Sequence, residues 1–165
     1  MQLESALAAF VTLEQEARDC YIRLHQYTQG DPALSQLWFE LALDEGGHAA
    51  VLQQLWELVR RIGPGPPLDF EASEIEQLRS DLRVCEHRAC RPLSAGEALK
   101  IAAELEGTEL DHIYQRLLRS SAMVVPELAR GLEGLAESVD QHIARVERML
   151  RERGLAREAE AVTAA

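Results

Sequence analysis

The chain has 165 residues, 47% hydrophobic but only 5% aromatic, and its 17 basic against 28 acidic side chains leave a net charge of −11. That length suits a single domain, 1–165, with a core that needs no disulfides, and the acidity provides no basic footprint for nucleic acid. No apolar run reaches the roughly 18 residues of a membrane span, the N-terminal MQLESALAAF lacks a signal-peptide pattern, and an odd number of cysteines points to a reducing compartment, the cytoplasm.

Alanine, leucine, glutamate and arginine dominate, and alternating runs of valine and isoleucine are absent, so the expected class is all-α. The first helix is expected over about 3–28. Its apolar stripe, Leu3, Leu7, Phe10, Glu14, Ala17, Tyr21 and Leu24, carries Glu14 on the seam. Asp31-Pro32 is a helix start, an acceptor for the cap followed by a proline that suits the first turn, and the second helix runs to about residue 62. The short break between the two implies an antiparallel hairpin.

On the second helix Leu34, Leu37, Leu41, Glu45, His48, Leu52, Leu55 and Val59 follow steps of three and four. Glu45 and His48 therefore sit one turn apart on a face that is otherwise apolar. Gly46 and Gly47 interrupt this helix at a cost of roughly 1 kcal/mol each relative to alanine. Close packing against a neighbouring helix is the expected reason, with extra room beside Glu45 and His48 as the functional alternative.

Gly63-Pro64-Gly65-Pro66-Pro67 ends the hairpin, and residues 63–93 form a crossover with a short helix opened by a capping box at Ser73 and Glu76. Cys85, His87 and Cys90 offer only three ligands in a spacing that fits no common zinc module, so free thiols and a surface histidine are expected. A second capping box, Ser94 with Glu97, opens a third helix over about 94–121 with Glu106 and Glu109 on its stripe. Pro126 starts the fourth, to about residue 153, whose stripe includes Val139 and His142. Two hairpins joined by a long crossover describe a four-helix bundle with approximate two-fold symmetry.

Six ionisable side chains thus fall on the seams: Glu14, Glu45, His48, Glu106, Glu109 and His142. Brought together in a low-dielectric interior, four carboxylates repel one another and lose hydration. Two divalent cations remove that penalty, with glutamates bridging them at about 3.5–4 Å and each histidine completing one metal. Iron or manganese suits mixed carboxylate and imidazole donors, and zinc fits the same donors without redox activity. Tyr21 and Tyr114, one or two turns from Glu14 and Glu106, read as packing residues whose hydroxyls find an acceptor.

Glu14-Gln15-Glu16-Ala17 with Tyr21, Leu41-Ala42 with Glu45-Gly46-Gly47-His48-Ala49, and Ala102 with Glu106-Gly107-Thr108-Glu109 and Tyr114 together resemble the rubrerythrins of the ferritin-like superfamily. The resemblance covers most of the chain and is weakest in residues 63–93. It implies a ferritin-like four-helix bundle around two iron ions, with peroxide or ferrous iron as the small substrate. It also implies that Glu14 and Glu106 supply ligands, that Glu45 bridges, that His48 binds one metal and that Glu109 is an extra, switchable carboxylate. Two departures stand out. The glutamate that normally precedes the fourth-helix histidine is Val139 here, and the neighbouring Asp140, an accessory candidate, lies about 100° around the helix. No Cys-x-x-Cys pair is present, so a peroxidase would draw electrons from a separate protein. The alternative function is a non-catalytic metal-binding or structural bundle with an incomplete site. A homodimer is expected through an apolar face, with Trp38 or Trp56 as candidates.

Overall fold

The computed structural model describes residues 1–63, 67–68, 71–107, 117 and 126–155. Among them the regular elements are all helices: α1 (Leu3–Tyr27), α2 (Pro32–Ile62), α3 (Ala72–Ala89), α4 (Ala95–Glu106) and α5 (Pro126–Glu152). The all-α class is as expected, and no described helix is long and apolar enough to cross a membrane. The expected third helix over 94–121 is present as far as Glu106, with Gly107 as its C-cap. Residues 108–116 and 118–125, and with them Glu109 and Tyr114, lie outside the described residues.

Local chemistry fixes most of the boundaries. Asp31 accepts a hydrogen bond from the Leu34 amide at 3.3 Å and Pro32 occupies the first turn, so α2 starts where the sequence places it. Ser94 and Glu97 form the expected reciprocal cap of α4. The crossover departs from expectation. Its capping box is Glu71 with Glu74 rather than Ser73 with Glu76, and its helix is 18 residues long rather than short. Glu71 adopts an extended backbone and Glu74 reaches back to its amide at 2.8 Å, which starts the helix before Ser73. The stripe of Ile75, Leu78, Leu82, Cys85 and Ala89 is buried, and it carries α3 through the whole cysteine segment.

α1 packs along α2, α2 against α5, α5 against α4 and α4 against α1, while α3 lies over α1 and also touches α4. Arg23 to Glu86 at 2.7 Å ties α3 to α1. Across the other side, Arg153 grips the carboxylate that caps α2, its Nη1 and Nη2 lying 2.5 and 2.8 Å from the two oxygens of Asp31. Phe10, Trp38, Tyr21 and a set of leucines from α1, α2 and α4 are fully buried, each worth about 1.5–3 kcal/mol of transfer free energy. Because Trp38 is enclosed within its own chain, it is not on a surface that a second copy can reach; Trp56 is half-buried beneath Arg60.

The described residues do not supply the close neighbour expected at Gly46 and Gly47. A Cβ at Gly46 would meet only the Arg18 side chain, at an ordinary 3.7 Å, and one at Gly47 would meet nothing within 4 Å among the described residues. Among the described residues, then, nothing packs closely on these two positions. Gly131 on α5 is the close approach instead, since a Cβ there would come within 3.1 Å of both Leu55 methyl groups.

The three cysteines are unpaired. Cys20 and Cys85 are buried and Cys90 is exposed, its thiol donating to the Glu86 carbonyl at 3.2 Å. Burial pushes the Cys85 thiol up to about 11 and the Cys20 thiol higher still. His87 is exposed. These residues form no ligand group with one another among the described residues.

Candidate metal centre

Four helices each deliver part of one buried polar cluster. α1 brings Glu14 and Tyr21, α2 brings Glu45 and His48, α4 brings Glu106, and α5 brings His142. Each residue takes a place that leucine or alanine holds one turn earlier or later, so the helical repeat that builds the core also aims these groups inward. Glu14, Glu45, His48 and Glu106 retain 2–7% of their accessible surface and His142 none.

Five of the six seam residues named from sequence come together. His48 Nδ1 lies 2.9 Å from Glu45 Oε2 and 3.4 Å from Glu14 Oε2. His142 Nδ1 lies 3.2 Å from Glu45 Oε1 and 3.6 Å from Glu106 Oε2. The donors sort into two groups, Glu14–Glu45–His48 and Glu45–Glu106–His142, with every donor atom of a group within 4.8 Å of the others. Glu45 belongs to both. The sixth residue, Glu109, lies outside the described residues. Tyr21 donates its hydroxyl to Glu106 Oε1 and stacks on Trp38 at 6.1 Å, matching its reading as a packing residue with a satisfied hydroxyl.

Burial shapes the electrostatics. Glu14 is pushed up to about 8, first by loss of hydration and then by the charge of Glu45. Burial also raises Glu106. For Glu45 burial pulls upward too, but hydrogen bonds from Glu14, His142 and His48 outweigh it and hold the carboxyl well below its ordinary range. Burial alone would depress the histidines; the surrounding carboxylates outweigh it and lift His48 to about 10 and His142 to about 9. In the metal-free protein at neutral pH the cluster is therefore a proton store, with both imidazoles charged and Glu14 holding a proton on its carboxyl.

The donor set fits metal. Bonds of about 2.0–2.2 Å meeting at right angles set neighbouring donor atoms about 3 Å apart, close to the spacings within each group. His142 Nδ1 is buried and faces two carboxylate oxygens, at 3.2 and 3.6 Å, without a well-aligned hydrogen bond to either. A buried polar atom left in that state is costly, and a cation between it and those carboxylates removes the cost.

Two aspartates beside the seam are placed differently. Asp140 is exposed and does not join the cluster, because a step of one residue from Val139 turns it out of the seam. Asp44 was not singled out from sequence, yet its Oδ2 lies 3.4 Å from His142 Nε2 and accepts a hydrogen bond from Arg145. The available signal was the position of Arg145 three residues after His142, a cation one turn above a seam histidine. Comparisons with protein-family models, curated proteins and solved structures find no match for the chain.

Proposed function

We propose that the chain is a ferritin-like protein related to the rubrerythrins, with a dinuclear metal centre held by Glu14, Glu45, His48, Glu106 and His142, and with iron as its metal. The observation that carries this reading is the membership of Glu45 in both donor groups. One carboxylate facing two histidines through different oxygens is what a bridging ligand requires. The order of helix contacts, α1–α2–α5–α4 and back to α1, supports the four-helix arrangement.

Two ferrous ions held by Glu14, Glu45, His48, Glu106 and His142 would supply the two electrons that, with two protons, reduce hydrogen peroxide to two molecules of water, the iron becoming ferric; with iron as the substrate the same oxidation would be a ferroxidase reaction. The chain's own residues do the rest. Glu14 and the two histidines hold protons until metal displaces them, and the Tyr21 hydroxyl is a proton donor at Glu106 Oε1. Leucines above and below the seam keep bulk water away. Cys20, Cys85 and Cys90 form no Cys-x-x-Cys pair, so on the peroxidase reading the described bundle does not itself supply the reducing equivalents. The working unit is a homodimer in the cytoplasm.

Anaerobic titration with ferrous iron tests this directly. The expected result is close to two ions per chain, followed by rapid oxidation when hydrogen peroxide is added. Uptake of one ion or fewer, with no response to peroxide, rejects it.

A second reading is favoured by Val139, which is 6% exposed and one turn before His142, where the resemblance calls for another carboxylate. On that reading the bundle binds metal without turnover. Val139→Glu then raises the metal count or affinity, whereas an unchanged count removes Val139 as the cause of any deficit.

A further inference from the structure

The proposed centre is not symmetric, and the asymmetry has an identifiable source outside the donor set. Each histidine turns Nδ1 toward its carboxylates, but the far side of the two rings differs. His142 Nε2 has the Asp44 carboxylate 3.4 Å away, with Ser138 Oγ at 3.5 Å on its own helix. Asp44 is itself held by Arg145, whose Nη1 also lies 3.9 Å from Glu40. Among the described residues no carboxylate stands beyond His48 in the same way. Among the described residues its carboxylate neighbours are Glu14 and Glu45, both on the Nδ1 side.

Asp44 cannot serve as a ligand in the Glu45–Glu106–His142 group, since it faces the opposite nitrogen of the ring. It projects from α2 one residue before Glu45, about 100° around the helix, and its side chain is 40% exposed. A carboxylate on the distal nitrogen of a ligating imidazole keeps the proton on that nitrogen, fixes the ring plane and makes the other nitrogen a stronger donor.

We infer that Asp44, clamped by Arg145, is a positioning residue that locks His142 with Nδ1 turned to Glu45 and Glu106, and so makes this the tighter of two unequal metal positions. The inference rests on the dinuclear reading and deepens it by assigning the order of filling. The Glu45–Glu106–His142 position loads first, and the Glu14–Glu45–His48 position loads second and exchanges more readily.

Co²⁺ titration of the full chain, followed by its visible absorption, is the test, because ligand-field bands resolve the two positions separately. Wild type should fill in two phases. Asp44→Ala should weaken the tighter phase by about 10- to 100-fold, the usual loss when an outer partner of a ligating histidine is removed, and leave the looser phase unchanged. Asp44→Glu should restore part of that loss, and Arg145→Gln should reproduce a fraction of it. In Zn²⁺-loaded protein, ¹⁵N spectra should show His142 protonated at Nε2 with a hydrogen-bonded proton that disappears in Asp44→Ala. Equal weakening of both phases, or none, overturns the assignment while leaving the dinuclear reading intact. A wild-type chain that takes up no Co²⁺ overturns both.

Discussion

His48 and His142 lie ring against ring, their centroids 5.2 Å apart and their planes 21° from parallel, and each presents Nδ1 to a different oxygen of Glu45. Glu45, the carboxylate common to both rings, offsets the repulsion between two imidazoles that their surroundings drive toward charge. Replacing Glu45 by glutamine should therefore damage both metal positions together, by more than the roughly 100-fold that an outer partner controls. Glu14→Gln should weaken only the position built on His48. Metal content after dialysis against a weak chelator distinguishes the two, and equal loss in both variants would contradict the shared role of Glu45.

The protonation pattern sets a pH dependence whose sign is fixed. Glu14 moves from 4.5 to about 8, His48 from 6.5 to about 10 and His142 from 6.5 to about 9, so the native state holds more protons than the unfolded chain across this range. Their contribution to stability is complete below the unfolded values and is lost as pH rises through the folded ones. Glu45 behaves oppositely, and its contribution disappears only in strong acid. The metal-free protein should therefore melt at progressively lower temperature between pH 6.5 and pH 10. Metal needs deprotonated ligands, so the gap between loaded and metal-free melting temperatures should widen over the same interval. Thermal melts with EDTA and with Mn²⁺ across that series measure both trends.

Gly47→Ala should stabilise the chain by about 1 kcal/mol, because a methyl group there enters open space in mid-helix. Gly131→Ala should do worse, since the Leu55 methyls at 3.1 Å must first move aside. Urea denaturation midpoints give the comparison, and a destabilised Gly47→Ala would show that a partner packs closely on that face of α2.

Asp31 serves α2 as its cap and Arg153 as its counter-ion. Asp31→Ala should cost about 1–2 kcal/mol, most of it from the lost cap, and Arg153→Ala less than about 1 kcal/mol. A double-mutant cycle read by denaturation isolates the ion pair, and its coupling energy should shrink in high salt.

Much of this arrangement was legible in the chain because period and caps are local properties. The alternating steps of three and four placed Glu14, Glu45, His48, Glu106 and His142 on inward faces, and Asp31-Pro32 and Ser94 with Glu97 marked two starts correctly. The start of α3 differs from expectation because glutamate is a less usual cap than serine, so local preference favours Ser73 where the structure uses Glu71. Asp44 was missed for a different reason. Its role exists only between α2 and α5, and no pattern within one helix states which far residue a half-exposed aspartate will meet. The glycine pair poses the same difficulty, since small size is visible in sequence but the neighbour that would make it necessary is not.

The uneven cysteines give the native chain a built-in chemical handle. Cys20 and Cys85 are shut inside and held in the thiol form, while Cys90 sits in solvent just after α3. An electrophile such as a maleimide at pH 7 should couple once per folded chain and three times after denaturation. A fluorophore placed this way, with no substitution anywhere, reports from the junction of α3 and α4, the opposite end of α4 from Glu106.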